Sequence, residues 1–405
     1  MKLNTCAFAA FLASLHAGIS VAADTRYSTW MARSIMDRGQ GIMTGKGGPS
    51  EPLQAGFTQK AFTAILEKYP TDPLATQLRD YVYQSAASVA PFMLNATHDA
   101  LAYPLDRLSN GNALLSLSEA TKTDETATFY SAAAALRQSI DLNRRNAEGG
   151  FWYFTYPNWS YLDGMYSLAP FYALYTAGGS NDPEARKALE EIRFQIDLLY
   201  QHTHITSSGL LVHGYDDSKT AVWADRTTGA SPYVWGRSLG WLIMALVDTV
   251  ELLPKSACNL RDDLLKKYND LARAVIRAVD PDTGAWWQVM NEPGRTKNYI
   301  ESSETVAGSA MFSAALLKGA RLGYLMDDRL AAEATAVAVR GYVYLTDTFV
   351  TQNENGLLDY NGTVSVCSLN STASYDYYVG QPLLFNSVLG TAAYILASLE
   401  VERRA

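Results

Sequence analysis

The chain has 405 residues, with 41 acidic and 33 basic side chains and a formal net charge of −8 at pH 7. A negative chain without basic runs argues against nucleic acid or an anionic membrane as a partner, although one well-placed arginine can still bind an anionic small substrate. No linker rich in Pro, Gly or Ser interrupts the sequence, so we predict one large domain.

The first 23 residues have the pattern of a secretory signal peptide. Lys2 is followed by an apolar run from Cys6 to Val21, and small residues up to Ala23 allow cleavage before Asp24. We therefore expect a secreted, extracellular protein whose folded domain spans residues 24–405. No later stretch has the length and apolar character of a membrane span.

Four Asn-x-Ser/Thr sequons fit a secreted glycoprotein and lie at Asn95, Asn158, Asn361 and Asn370. Asn158 lies inside an aromatic stretch, so we expect it to remain unmodified and to serve packing or ligand contact.

Helical periods recur along the rest of the chain, separated by short polar breaks. The segment 234–253 is the clearest, because it combines one apolar face with Arg237, Trp241 and Met244 at positions i, i+4 and i+7 of the opposite side. A helix that carries large apolar or aromatic side chains on both faces is buried on both sides. About a dozen helices of this kind suit concentric inner and outer rings, and we predict an all-α fold of this type.

The predicted helices span 25–37, 56–68, 73–91, 110–121, 125–143, 162–177, 183–203, 234–253, 260–278, 303–323, 329–348 and 379–400. Strand-like alternation is scarce. Two short strands are predicted in loops at one end of the rings, at 209–213 and 285–290.

Asp163 lies in the middle of an aromatic-rich stretch that runs from Phe151 to Tyr175. A carboxyl group in apolar surroundings tends to keep its proton near neutral pH and can act as a general acid. The simpler interpretation is that Asp163 only caps the helix that begins at Gly164. Asp106 and Glu301 also precede helical runs, and a capping role is the default interpretation for each.

A loop-like stretch with His213 leads into the buried helix at 234–253. A single histidine is more often structural. Together with Trp235, Arg237 and Trp241, however, His213 forms a set that offers stacking and positive charge to a sugar acid. The segment Tyr375–Tyr378 fits either core packing or the rim of a pocket.

The segment Gly236-Arg-Ser238-Leu-Gly240 matches the Gly-x-Ser-x-Gly elbow of serine hydrolases. That elbow needs a strand before it, and here the match lies inside a helical period. We therefore interpret the match as coincidence.

The mature chain has no cluster of Cys and His with zinc spacing, so we expect no metal-dependent mechanism. Cys258 and Cys367 either form a disulfide or remain two separate buried thiols, and their spacing does not distinguish these alternatives.

Taken in order, a set of motifs from about Asp106 to Leu399 resembles glycoside hydrolase family 105, the unsaturated rhamnogalacturonyl hydrolases, which are related to the unsaturated glucuronyl hydrolases. The motifs are Glu148-Gly-Gly-Phe-Trp, Tyr156-Pro, Leu162-Asp163-Gly-Met-Tyr, Pro170-Phe-Tyr, His213-Gly-Tyr-Asp-Asp-Ser, Trp223-Ala, Thr228-Gly, Ser231-Pro232, Trp235-Gly-Arg-Ser-Leu-Gly-Trp241, Asn298-Tyr and Glu301-Ser-Ser. The resemblance implies an (α/α)6 barrel, in agreement with the helix count.

The resemblance also implies site residues. Asp163 corresponds to the catalytic aspartate, and Asp106 to a second aspartate of the pocket. Tyr153 stands where many members have a histidine. The remaining substrate-binding residues implied by matching order and spacing are His213, Trp235, Arg237 and Trp241.

The implied substrate is an oligosaccharide whose non-reducing end is a 4,5-unsaturated galacturonic acid left by a pectin lyase. Asp163 would protonate C4 and then activate the water that adds to C5, and this implied chemistry needs no cofactor or metal. Two alternatives remain open. One is an inverting glycosidase with Asp163 and Asp106 as acid and base, about 6.5–9.5 Å apart. The other is a non-catalytic carbohydrate-binding barrel in which Asp163 only caps its helix.

Overall fold

The computed structural model describes residues 26–120, 124–176, 183–297 and 306–404, which leaves the predicted signal peptide outside the described residues. Within these ranges the chain forms fourteen α-helices and four short strands. The helices are α1 (Tyr27–Asp37), α2 (Glu51–Lys68), α3 (Ala75–Val89), α4 (Ala96–Ala102), α5 (Gly111–Ala120), α6 (Asp124–Asp141), α7 (Gly164–Thr176), α8 (Pro183–Thr203), α9 (Gly236–Leu252), α10 (Cys258–Arg277), α11 (Val306–Arg321), α12 (Asp328–Phe349), α13 (Tyr375–Val379) and α14 (Val388–Glu402). The strands are β1 (Trp159–Tyr161), β2 (Gly214–Asp216), β3 (Val350–Gln352) and β4 (Leu358–Tyr360).

Six elements form a closed inner ring in which each contacts the next. They are α2, the 3-10 turn Leu105–Asn110 with α5, α7, α9, α11 and α14, which returns to α2. Each packs against one outer helix, which is α3, α6, α8, α10, α12 and α1 in the same order. The prediction of two helical rings in an (α/α)6 barrel is thus confirmed. Because an outer helix returns the chain between successive inner helices, the inner helices are parallel and begin at one end of the barrel.

The apolar pattern of each helix decides its ring. The inner helix α9 is buried without interruption from Gly236 to Val250, and α14 from Val388 to Glu400. The outer helix α10 buries one stripe, which begins with Leu260, Leu264 and Tyr268. Residues four apart lie on one face of a helix, so this stripe faces the inner ring and the rest faces solvent.

The predicted helix at 379–400 begins too early, because α14 starts at Val388. The backbone before it bonds to a neighbouring segment instead. The Ser365 N–H donates to the Pro382 carbonyl at 2.8 Å, and the Leu384 N–H donates to the Thr363 carbonyl at 2.7 Å. These long-range bonds satisfy the backbone without helix formation.

The two predicted strands are also displaced. Strand β2 occupies Gly214–Asp216, directly after the predicted 209–213, because it pairs with β1. The segment 285–290 contributes only an isolated bridge between Trp235 and Val289. Both features lie at the end of the barrel where the inner helices begin, as expected.

Partly buried ion pairs occupy the other end, where the inner helices terminate. Asp248 of α9 accepts hydrogen bonds from Lys60 of α2 and from Lys318 of α11, the second at 2.6 Å. Arg321 of α11 and Glu400 of α14 form a bidentate pair with both N···O distances at 2.7 Å. Cations are favourable here, since the carboxyl ends of helices carry partial negative charge. The pairs line a cavity of about 720 Å³ between the inner helices.

Candidate active site

Two loops at the amino-terminal end of the inner ring are joined by the antiparallel pair of β1 and β2, in which Ser160 faces Tyr215. Just beyond this pair, the Leu162 N–H donates to the His213 carbonyl at 3.1 Å. Asp163 directly precedes α7, and His213 directly precedes β2. The backbone pairing therefore places these two side chains next to each other.

Asp163 lies at the centre of the site and is 9 % exposed. Its Oδ2 accepts a hydrogen bond from the hydroxyl of Ser238 in the first turn of α9, and it lies 3.4 Å from Nε2 of His213. His213 is fully buried, and its Nδ1 lies 2.8 Å from the hydroxyl of Tyr378. The Asp163 carboxyl thus turns toward the neighbouring inner helix, which favours a functional role over simple capping of α7.

A second carboxyl, that of Asp106, lies in the 3-10 turn before α5 and is 3 % exposed. The Tyr153 hydroxyl donates to its Oδ2 at 2.6 Å, and the Tyr153 ring stacks on Tyr161 with 4.3 Å between centroids. Burial raises the pKa of Asp106 to about 7 against the lowering effect of the Tyr153 hydrogen bond, and the charge of Asp163 adds to the rise. The site therefore contains a carboxyl that keeps its proton up to near neutral pH.

Arg237 and Trp235 lie at the start of α9, and both are buried. The Arg237 guanidinium lies 4.5 Å from the centroid of the Trp235 ring. Its Nη1 donates to the Val364 carbonyl at 2.6 Å, and its Nη2 donates to the Ser365 carbonyl at 2.8 Å. Burial lowers the pKa of Arg237, and the nearby Asp163 carboxyl opposes this change. The remaining N–H groups of the guanidinium can bind a carboxylate.

The segment between β4 and α14, residues 361–387, covers the site, and we call it the covering segment. Its apolar side chains pack in a second hydrophobic cluster apart from the barrel core. This cluster contains Tyr161, Trp223, Trp235, Val289, Val364, Cys367, Leu369, Tyr375, Tyr378 and Val379. Tyr378 holds His213 and the carbonyls of Val364 and Ser365 hold Arg237, so the covering segment completes the site. Tyr375 and Tyr378 are buried in this cluster, which agrees with the packing alternative for Tyr375–Tyr378, and Tyr378 also contacts His213.

Two other predicted substrate residues lie in different surroundings. Trp241 is 2 % exposed and packs in the barrel core, with ring centroids 4.8 Å from Phe57 and 4.5 Å from Tyr166. Asn158 adopts a φ of 67° before β1, and its carbonyl accepts from the Asp217 N–H at 3.1 Å. Their contact with substrate stays a prediction.

The motifs at Asn298 and Glu301 lie outside the described residues. Within the described ranges, no three His, Cys, Asp or Glu side chains are grouped so that they could hold a metal ion. In the same ranges, no helix combines the length and the apolar character that crossing a bilayer requires. Cys258 is exposed and Cys367 is buried, and no disulfide joins these two described residues.

Two contacts of the site were missed in the sequence, Ser238 with Asp163 and Tyr378 with His213. They join residues that are 75 and 165 positions apart, respectively, so no local pattern predicts them. The Gly-x-Ser-x-Gly match contains Ser238 but, interpreted as coincidence, did not predict the contact with Asp163.

Comparisons with known proteins agree with this geometry. The model of the family described as Glycosyl Hydrolase Family 88 matches residues 51–405. Protein Atu3128 of Agrobacterium fabrum is 34% identical to the chain over 200 residues, which is 48% of this chain and 82% of that protein.

Solved structures give the same result. A family 105 glycoside hydrolase of C. acetobutylicum ATCC 824 is 31% identical with a TM-score of 0.79, and the match covers 94% of this chain and all of that one. A possible family 105 member from Klebsiella pneumoniae is 20% identical with a TM-score of 0.65, covers 86% of this chain and 82% of that one, and shares the fold. The resemblance to family 105 that the motifs carry is confirmed.

Proposed function

Since the chain belongs to the related glycoside hydrolase families 88 and 105, we propose that it acts on oligosaccharides that a pectin lyase has cut. The protein is a glycoside hydrolase of the unsaturated uronyl hydrolase class. The proposed reaction removes the 4,5-unsaturated galacturonic acid unit from the non-reducing end of rhamnogalacturonan fragments, and this unit leaves in its 5-keto form. The observation that carries this proposal is the Asp163 carboxyl, which Ser238 holds beside His213.

The proposed chemistry is hydration of the C4=C5 double bond. This bond is an enol ether conjugated to a carboxylate, so a proton delivered to C4 creates an oxocarbenium-like centre at C5. Asp163 delivers that proton, and its carboxylate then takes a proton from the water that adds to C5. The hemiketal opens to a ketone at C5, and the hemiacetal left at C1 releases the next sugar. One water is consumed, and Asp163 is again protonated.

The other side chains suit the two ends of the unsaturated sugar. Arg237 is a buried cation next to Asp163, and it would bind the sugar carboxylate with N–H groups not used by the covering segment. His213 lies between Asp163 and Tyr378 and would contact the same group. Asp106 keeps its proton near neutral pH, so it can donate to a sugar hydroxyl. Trp235 would form an apolar wall.

Substrate choice depends on the sugar next to the unsaturated one. Elimination by a lyase makes C4 and C5 planar, so galacturonate and glucuronate lose the C4 configuration that distinguishes them. The linkage and the neighbouring sugar remain as the differences that the site can recognise. A panel of substrates with the same unsaturated uronyl group on different neighbours therefore tests the proposed preference for rhamnose.

The experiment follows the ultraviolet absorbance of the conjugated double bond in a lyase-generated rhamnogalacturonan disaccharide. We expect the parent to remove the absorbance and Asp163→Asn to be slower by a factor of about 100 or more, because positioned proton transfer contributes about that much. The exposed Asp282, changed to Asn, controls for the loss of a charge. Unchanged absorbance with the parent, while the same unsaturated uronyl group on other neighbouring sugars reacts, would contradict the rhamnogalacturonan assignment.

The pair of Asp163 and Asp106 also suits an inverting glycosidase that cleaves saturated chains with one carboxyl as acid and the other as base. The raised pKa of the buried Asp106 is the observation that favours this second function. Release of saturated sugars by the parent would support it. A parent that binds oligosaccharides but converts none, whether saturated or unsaturated, would support a non-catalytic barrel instead.

We also propose that the protein is secreted and glycosylated. If the predicted signal peptide is cleaved, the secreted protein begins at Asp24. Amino-terminal sequencing of the secreted protein tests this. Asn95, Asn361 and Asn370 are exposed in the structure, so mass spectrometry should find glycans there before Asn158.

A further inference from the structure

Ser238 connects two neighbouring inner helices at the site. It lies in the first turn of α9, is fully buried, and donates its hydroxyl to Oδ2 of Asp163, the residue before α7. Its Oγ also lies 3.5 Å from the carbonyl oxygen of His213. This serine is thus directed at the acid from the neighbouring helix, with the backbone of His213 on its other side.

Both contacts of the Asp163 carboxyl fall on one oxygen. Oδ2 accepts from Ser238 and lies 3.4 Å from His213 Nε2. His213 is fixed in turn by the Tyr378 hydroxyl at Nδ1 and by backbone bonds to Tyr233 and Leu162. Among the described residues these are the partners of the carboxyl, so its second oxygen, Oδ1, is left for the substrate.

We propose that Ser238 is a positioning residue for the hydration reaction, one that holds Oδ2 of Asp163 so that Oδ1 carries and transfers the proton. The inference rests on the proposed function. The serine is not a nucleophile, because it lies inside a helix and its hydroxyl proton is committed to the carboxylate.

The serine hydroxyl suits both protonation states of the acid. When Oδ1 carries the proton, Oδ2 still accepts from Ser238. When Oδ1 has given its proton to C4, the same hydrogen bond stabilises the carboxylate until water returns a proton. One fixed oxygen therefore performs both transfers without rotation of the carboxyl, which keeps the reacting atoms aligned.

The test compares Ser238→Ala with Ser238→Thr, which keeps the hydroxyl, and with the matched control Ser167→Ala. Ser167 is also buried on an inner helix, and its hydroxyl has no hydrogen-bond partner in the described structure. We expect Ser238→Ala to lower kcat about tenfold or more with KM changed less than about twofold, since one hydrogen bond to a charged group is worth about that factor. Ser238→Thr should recover most of kcat, and Ser167→Ala should match the parent.

A pH profile adds a readout that a purely structural serine would not move. A donated hydrogen bond favours the ionised carboxyl, so its loss should move the basic limb of the kcat profile to higher pH in Ser238→Ala. The same titratable and charged groups face Asp163 in all variants, namely Asp106, Tyr153, Tyr161, His213, Arg237 and Tyr378.

The outcomes separate the two proposals. A parent without activity on any unsaturated substrate overturns the proposed function and, with it, the role of Ser238. An active parent with an unchanged kcat in Ser238→Ala overturns only the role of Ser238. A variant that loses kcat together with its cooperative thermal unfolding, and that keeps the parental pH profile in its residual activity, also overturns it, because it assigns the serine to folding.

Discussion

Replacement of Asp106 by Asn should remove one identifiable part of the pH dependence of stability. Burial raises the pKa of Asp106 from 3.8 to about 7 in the folded protein. That rise corresponds to about 4 kcal/mol, since one pKa unit is worth about 1.4 kcal/mol. The unfolded chain loses this proton near pH 4, whereas the folded chain keeps it until about pH 7. Asp106 therefore makes its full contribution to the free energy of unfolding below pH 4, and this contribution is lost as the pH rises through 7.

Asn cannot ionise, and its carbonyl oxygen can still accept from Tyr153. We therefore expect Asp106→Asn to match the parent near pH 4 and to be more stable near pH 8 by up to about 4 kcal/mol. Urea unfolding across this range measures the free energy of unfolding of the parent, of Asp106→Asn and of the exposed control Asp282→Asn. Curves for the parent and Asp106→Asn that stay parallel from pH 4 to pH 8 would refute the argument, because Asp106 would then titrate alike in the folded and unfolded chains.

Three further predictions concern the buried charges and the site. Asp248→Ala leaves two partly buried lysines without their shared carboxylate, so denaturant unfolding should show a loss of about 1–3 kcal/mol, and an unchanged midpoint would contradict this. Arg237→Lys removes the forked donor, so KM for the unsaturated disaccharide should rise about tenfold with a smaller change in kcat, whereas an unchanged KM would exclude Arg237 from uronate binding. Tyr153→Phe removes the hydrogen bond that lowers the pKa of Asp106. Its stability should therefore continue to fall to a higher pH than in the parent, and a fall that ends at the parental pH would argue against this contact.

The sequence by itself determined the architecture, because its signals are local. The apolar period of 234–253 repeats within one helix, and the two faces of that helix identify it as an inner element before any contact is known. The position of Asp163 directly before a helix follows from the same kind of pattern. The same pattern does not, however, show whether a given side chain lines the pocket or packs in the core. Trp241 was predicted to contact substrate, and in the structure it packs in the core.

Only the tertiary structure decided how the Asp163 carboxyl is held. The Ser238 hydroxyl and the Tyr378 hydroxyl reach the site from other elements, and the chain between each contact pair is long. The burial that raises the pKa of Asp106 comes from surrounding elements and not from its own short turn. Helix periodicity depends on neighbours three or four residues apart, whereas burial and hydrogen bonds at the site depend on which helices the closed ring brings together.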